Sequence, residues 1–131
     1  MPSVTIGSAS ATLMLRAIEG SLPPDELEVE LRAETLSAQA ILYGLNFADL
    51  GTYFEDLAAK WRGWTGSLDW RSLEGDLAIS ANYDRRVLLR VRLLGDRYRT
   101  QWVAEATISL DPGEQLSAVA SDVRGLVVGS T

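Results

Sequence analysis

FEDLAAKWRGWTGSLDWRSLEGDLAIS, residues 54–80, carries three of the four tryptophans, Trp61, Trp64 and Trp70, between a predicted helix and a predicted strand. On its N-terminal side Leu50, Tyr53, Phe54, Leu57, Ala58 and Trp61 recur at helical spacing and form one apolar stripe. That helix begins near Asn46, whose side chain can cap it, and Asp49 suits the positive end of its dipole. Gly51 weakens it by about 1 kcal/mol relative to alanine, and Gly63 is placed to stop it. On the other side the chain turns at Trp64-Thr65-Gly66 and comes back through Asp69-Trp70. It then enters a strand over 77–83, with Leu77, Ile79, Ala81 and Tyr83 on one face. Helical spacing before the tryptophans and strict alternation after them make this an α+β chain.

Further along, Asp84-Arg85-Arg86 makes a short turn into residues 87–94, where Val87, Leu89, Val91 and Leu93 point inward and Arg90 and Arg92 outward. Gly95-Asp96 is a second turn signal. Residues 100–110 supply a third strand, with Trp102, Ala104, Ala106 and Ile108 on the core face, so the three read as a meander. The closing helix starts at Asp111-Pro112-Gly113-Glu114, with Asp111 as N-cap, Pro112 at the first helical position and Glu114 completing a capping box. Leu116, Val119, Ala120, Val123 and Leu126 or Val127 form its stripe.

Before the quoted stretch, the clearest strand is 26–35: Leu27, Val29, Leu31 and Ala33 alternate with Glu26, Glu28, Glu30, Arg32 and Glu34. One buried and one wet face imply antiparallel pairing. Residues 36–45 continue the alternation with Ala38, Ala40 and Leu42, and Ile41 and Tyr43 on its other face imply that this face is less exposed. Residues 4–18 are weakly strand-like, with Leu13, Leu15 and Ala17 on one side; Pro23-Pro24 marks the loop that follows. The expected fold is one domain over residues 1–131: a mostly antiparallel sheet of about seven strands with both amphipathic helices packed on one face. The opposite face then carries the Glu-rich strand and the Arg-rich hairpin together.

Composition narrows the chemistry. The chain has no cysteine and no histidine. Disulfides, thiolate metal sites, the commonest general base and the commonest metal ligand are therefore all missing. The net charge is −6, with 9 acids against 3 bases in residues 1–60 and 9 of each afterwards. Such acidity disfavours nucleic acid and anionic lipid as partners. No apolar run approaches the ~18 residues that a membrane span needs, and the N-terminus lacks a basic signal-peptide region, so the cytoplasm is the expected location.

The order of helix, W-x-G-W-x-G, tryptophan, S-L-E-G-D-L and strand resembles the actinobacterial domain-of-unknown-function family 6228. The closing LDPGEQLSAVASDVRGLV is similar to that family's L-x-x-G-E-Q-L ending, and the resemblance is weakest before Glu26. More loosely, the order of elements resembles immunity proteins of the wall-associated-toxin type, small cytoplasmic proteins that neutralise a secreted toxin by binding it. Both resemblances imply a Gly-His pair where this chain has Arg85-Arg86, so no role of that histidine carries over.

Four groups of residues are candidates for function. Trp64, Trp70 and Tyr83 can line an aromatic pocket at the sheet edge for a small molecule; alternatively Trp61 closes the helix stripe and the others pack the loop onto the sheet. Asp69, Glu74 and Asp76 cluster in sequence but match no calcium loop or glycosidase pattern, and read as turn and capping residues. Glu26, Glu28, Glu30 and Glu34 can mimic nucleic-acid phosphates and so block a nuclease toxin, or are simply a solvated strand face. Arg85, Arg86, Arg90, Arg92, Arg97 and Arg99, near Tyr83, Tyr98 and Trp102, can form a nucleic-acid patch, or pair with glutamates on a neighbouring strand. No G-x-S-x-G elbow or phosphate loop occurs. The expectation is a non-enzymatic protein-binding module without cofactor or metal, its partner a protein such as a toxin. Whether it is a monomer or a homodimer is left open, with residues 36–45 able to lie at a sheet edge and pair in a dimer.

Overall fold

Among the described residues, alternation of apolar and polar residues generates eight strands, paired in sequence order within two sets of four. The computed structural model describes residues 3–8, 10–18, 24–44, 47–95 and 101–128. Strands β1 (Ser3–Ser8), β2 (Ala11–Ala17), β3 (Glu26–Ala33) and β4 (Leu36–Tyr43) form one antiparallel sheet in that order. Helix α1 (Ala48–Ala59) follows, and β5 (Ser67–Arg71), β6 (Leu77–Asp84), β7 (Arg86–Leu94) and β8 (Val103–Leu110) form a second. Helix α2 (Glu114–Val128) closes the chain.

The single sheet of about seven strands is thus corrected to two sheets of four. The physical reason is that α1 interrupts the run of hairpins. Strand β4 leads into a helix instead of another ladder, and the later hairpins close on themselves. One consequence is that the Glu-rich strand, β3, and the Arg-rich hairpin, β6–β7, lie on different sheets. Nor do the helices share one sheet face: they pack on each other, α2 also reaching β1 and β2, and α1 reaching β5. The sheets meet at β8, which touches β1, β2 and β3, while β4 approaches β7. Both inner sheet faces and both helix stripes merge into one core.

Two strands were hidden in the sequence. The segment expected as one weak strand over residues 4–18 holds two, β1 and β2, with Gly7 (φ 115°) opposite Thr12 and Ser8 opposite Ala11. Asp69-Trp70, expected as a turn, sits inside β5, where Trp70 faces Ile79 of β6. The true turn is one step later, where Ser72, buried, accepts the Leu77 N–H through its hydroxyl at 3.0 Å. The β6–β7 turn is made by Arg85 with φ 65°, a left-handed conformation that glycine adopts without penalty.

Helix α1 starts at Ala48, with Phe47 at the cap position and no side-chain cap. The expected capping residue Asn46 lies outside the described residues, as do Gly20, Pro23, Asp96 and Thr100. Asp49 is in the first turn as expected. Gly51 is a contact, not only a weakness: a Cβ there would stand 3.1 Å from Val127 of α2. Glu55 and Arg124 form an exposed ion pair across the same helix pair at 3.7 Å. The helix ends at Ala59, before Gly63, so Trp61 leaves the stripe and is 51% exposed instead of buried. In α2 the whole expected stripe is buried, with both Leu126 and Val127 in it. Its reciprocal capping bond comes from Gln115, whose side-chain oxygen accepts the Asp111 N–H at 2.8 Å, not from Glu114.

Tyr53 ties α1 to the second sheet, donating its hydroxyl hydrogen to the Leu68 carbonyl at 2.7 Å. Burial, and secondarily the Asp69 carboxylate, hold its phenol well above the usual tyrosine range. The folded state therefore keeps a proton that the unfolded chain releases above about pH 10. Tyr53's contribution to stability is complete below that pH and is lost above it at about 1.4 kcal/mol per pH unit. Tyr53→Phe is expected to cost about 1–3 kcal/mol at neutral pH, by leaving Leu68 without its partner. The same variant flattens the alkaline decline, which chemical denaturation between pH 8 and about 11.5 would reveal. An unchanged slope would count against the buried phenol.

Candidate functional site

The tryptophan motif builds a joint between α1 and β6. Tyr83 donates its hydroxyl hydrogen to the Trp61 carbonyl at 3.0 Å. Gly63 (φ 121°) passes under the Tyr83 ring, where a Cβ would come within 3.1 Å. Trp64 meets Tyr83 edge to face, with ring centroids 5.2 Å apart, and donates its indole N–H to the Ala81 carbonyl at 3.2 Å. In W-x-G-W the first tryptophan thus supplies a carbonyl, the glycine clearance, and the second a ring and a donor. Trp70 is apart from this cluster, buried on the inner face of β5, and its indole N–H has no hydrogen-bond partner among the described residues. The Trp61 ring stays outside, with the Arg62 guanidinium 5.0 Å above it. Two open grooves on the described surface are not lined by Trp64 or Tyr83, and Trp70 borders one of them, beside Asp69 and Arg71.

Glu26, Glu28 and Glu30 lie on the outer face of β3 as expected, but two of them are committed. Glu28 pairs with Arg16 of β2. Glu30 pairs with Arg32 at 2.7 Å and accepts a hydrogen bond from Gln39 at 2.5 Å. A phosphate mimic offers unpaired carboxylates; here neighbouring side chains already hold them. Ile41 and Tyr43, expected to lie on a less exposed face of β4, are 45% and 53% exposed, beside Glu28 and Glu26. The register places them on the outer face, which no other described element covers.

Arg90 and Arg92 stand on the outer face of the second sheet, where the ladder arranges two rows across four strands. One row runs Arg71, Ala78, Arg92, Glu105, and the next Asp69, Ser80, Arg90, Thr107. The small Ala78 and Ser80 leave a dent, and these charged side chains border an open groove of about 310 Å³. Asp69 accepts the Ser80 hydroxyl at 2.7 Å. Arg92 lies 3.5 Å from Glu105, both about half exposed, a pair worth little in water. The side chains of Arg71 and Arg90 make no ion pair or hydrogen bond among the described residues. Two uncommitted guanidinium groups over a small-residue floor can take a carboxylate or another anion. Arg86 is engaged elsewhere, donating to Ser109 at 2.6 Å. Arg97, Tyr98 and Arg99 lie outside the described residues.

Arg71 and Glu105 escaped the sequence reading. Arg71 was hidden because β5 read as a turn, and its position in the row depends on the β5–β6 register. Asp69, Glu74 and Asp76 separate, the first on β5 and the others in the β5–β6 turn. Among the described residues no group of three or more carboxylates is placed to hold a metal ion. No helix among them is long and apolar enough to cross a membrane.

Comparison with curated proteins and with solved structures gives no match. The model of a family of unknown function, DUF6228, matches residues 6–130, which span the hairpins, the tryptophan joint, the groove and α2, and the chain belongs to that family.

Proposed function

We propose that the protein is a non-enzymatic protein-binding module of the actinobacterial cytoplasm, acting as an immunity protein that neutralises a cognate toxin. The observation that carries it is the groove of the second sheet, where Arg71 and Arg90 are uncommitted while most charges around them are paired. Guanidinium groups with no ion-pair partner among the described residues bind an incoming carboxylate without first breaking such a pair. The absence of histidine and cysteine removes the usual nucleophile-activating and metal-binding chemistry, which supports binding over catalysis. The partner side of this reading is an acidic protein surface.

Co-expression with any toxin domain that the neighbouring genes encode tests it. Wild-type chain is expected to rescue growth and to co-purify with the toxin. Arg71→Glu with Arg90→Glu, both exposed, is expected to keep the fold and to weaken binding at least about tenfold. Absence of both rescue and capture overturns the reading. So does tight, salt-sensitive binding of a single-stranded oligonucleotide that the same double variant abolishes.

A further inference from the structure

We propose that β4 is a homodimer seam, through which two copies join their N-terminal sheets into one continuous eight-stranded antiparallel sheet. The strand order β1-β2-β3-β4 leaves β4 with a ladder on one side only. Helix α2 lies against β1, α1 against β5, β8 against β1, β2 and β3, and β4 against β7, and none of these contacts adds a ladder to the free edge of β4. Apart from its ladder with β3, residues 36–43 make no backbone hydrogen bond among the described residues. Natural edge strands are blunted by lysine, proline, inward charges or bulges. Strand β4, LSAQAILY, has no charge, no proline and no glycine, and it exposes Ile41 and Tyr43.

A second copy fits this edge for reasons of register and charge. A two-fold axis at Ala40 sets Ile41 opposite Gln39, Tyr43 opposite Ser37, and Leu42 opposite Ala38 of the second copy. Every outward residue then meets an outward one, and the inner faces remain continuous. The charges of β3 run from Glu26, in register with Tyr43, to Arg32, in register with Ser37. Reversing the second copy therefore aligns one row as Glu26, Tyr43, Ser37, Arg32. Strands stand about 4.8 Å apart, which brings the Tyr43 ring and the Arg32 guanidinium within reach over the small serine. The neighbouring row, Glu28, Ile41, Gln39, Glu30, brings no naked repulsion, because Arg16 and Arg32 already neutralise its glutamates. A strand from an unrelated protein has no reason to match this reversed charge order.

The chain has no cysteine, so a single introduced thiol reports the axis without interference. In Ala40→Cys the two sulfurs face each other across an antiparallel pair whose Cα atoms are about 4.5–5.5 Å apart, inside disulfide range. Under mild oxidation it is expected to cross-link nearly completely. Ser37→Cys, about 20 Å from its own copy in that register, is not. Sedimentation equilibrium of the wild-type chain is expected to show the mass rising from 14.3 kDa towards twice that value with concentration. Gln39→Lys with Ile41→Lys sets like charges directly opposite across the seam and is expected to raise the dimer Kd at least about tenfold. Gln39→Lys with Ile41→Glu sets opposite charges there and retains the dimer. Circular dichroism and melting of each variant confirm the fold. A wild-type chain monomeric up to about 0.5 mM, or a dimer indifferent to the lysine pair, overturns the proposal. So does equal cross-linking at positions 37 and 40.

Discussion

Gly7→Ala is expected to destabilise the protein by about 3 kcal/mol or more, lowering the melting temperature by roughly 10 °C or more. Two causes act together. Gly7 holds φ 115°, a backbone conformation that an L side chain rarely adopts. Its added Cβ would also stand 2.3 Å from the Ala11 carbonyl oxygen and 2.9 Å from the Ile108 methyl. The first contact is backbone of the paired strand β2 and cannot swing aside. The second belongs to β8, where the two sheets meet, so relief there pushes the sheets apart. Gly66 separates the two causes. It has φ 78° but nothing within 4 Å of the point where a Cβ would stand, so Gly66→Ala carries the backbone cost alone, about 1–2 kcal/mol. Thermal and urea denaturation of both variants give the comparison. Equal losses at the two sites would remove the close approach of β1 to β8 as a feature of the fold.

Phe54→Ala should cost about 3–5 kcal/mol, whereas Trp61→Ala, seven residues along the same sequence stripe, should cost less than about 1 kcal/mol. Phe54 is fully buried in the core and meets Tyr53 edge to face at 5.3 Å. Its truncation leaves a ring-sized void between α1 and the strands, which a close-packed interior refills only in part. The Trp61 ring is half exposed, and its structural duty is done by its carbonyl, which alanine keeps. What Trp61→Ala removes is mainly the contact with Arg62. Urea midpoints at constant m-value measure both. A large loss at Trp61 would return it to the core, where helical spacing alone had put it.

Trp61 shows where local reasoning stops. Periodicity extends a helix for as long as apolar residues keep recurring, but α1 ends at Ala59, and the next apolar side chain no longer lies on its stripe. The functional residues divide along the same line. Glu26, Glu28, Glu30, Arg90 and Arg92 were legible as outward-facing because alternation alone decides the face. That Glu28 and Glu30 are held while Arg71 and Arg90 have no ion-pair partner among the described residues depends on which strand lies alongside. Arg71 was invisible without β5, a five-residue strand too short for its alternation to register. Gly51 is similar: one helix makes it a weakness, two helices make it the point of contact with Val127.

By itself the sequence determined the inner faces of β3, β4, β6, β7 and β8, the complete stripe of α2, and the α+β class. These follow from burial patterns of period 2 and 3.6 that a single element displays on its own. The tertiary structure decided that the strands divide into two sheets, that Trp64 and Tyr83 lock a joint while Trp70 joins the core, that Arg71 borders one groove with Arg90 and Arg92, and that β4 has a ladder on one side only. Each of these is a pairing between segments distant in the chain. Alternation states which way a side chain points, and only the ladders and the packing of one face on another state what it meets.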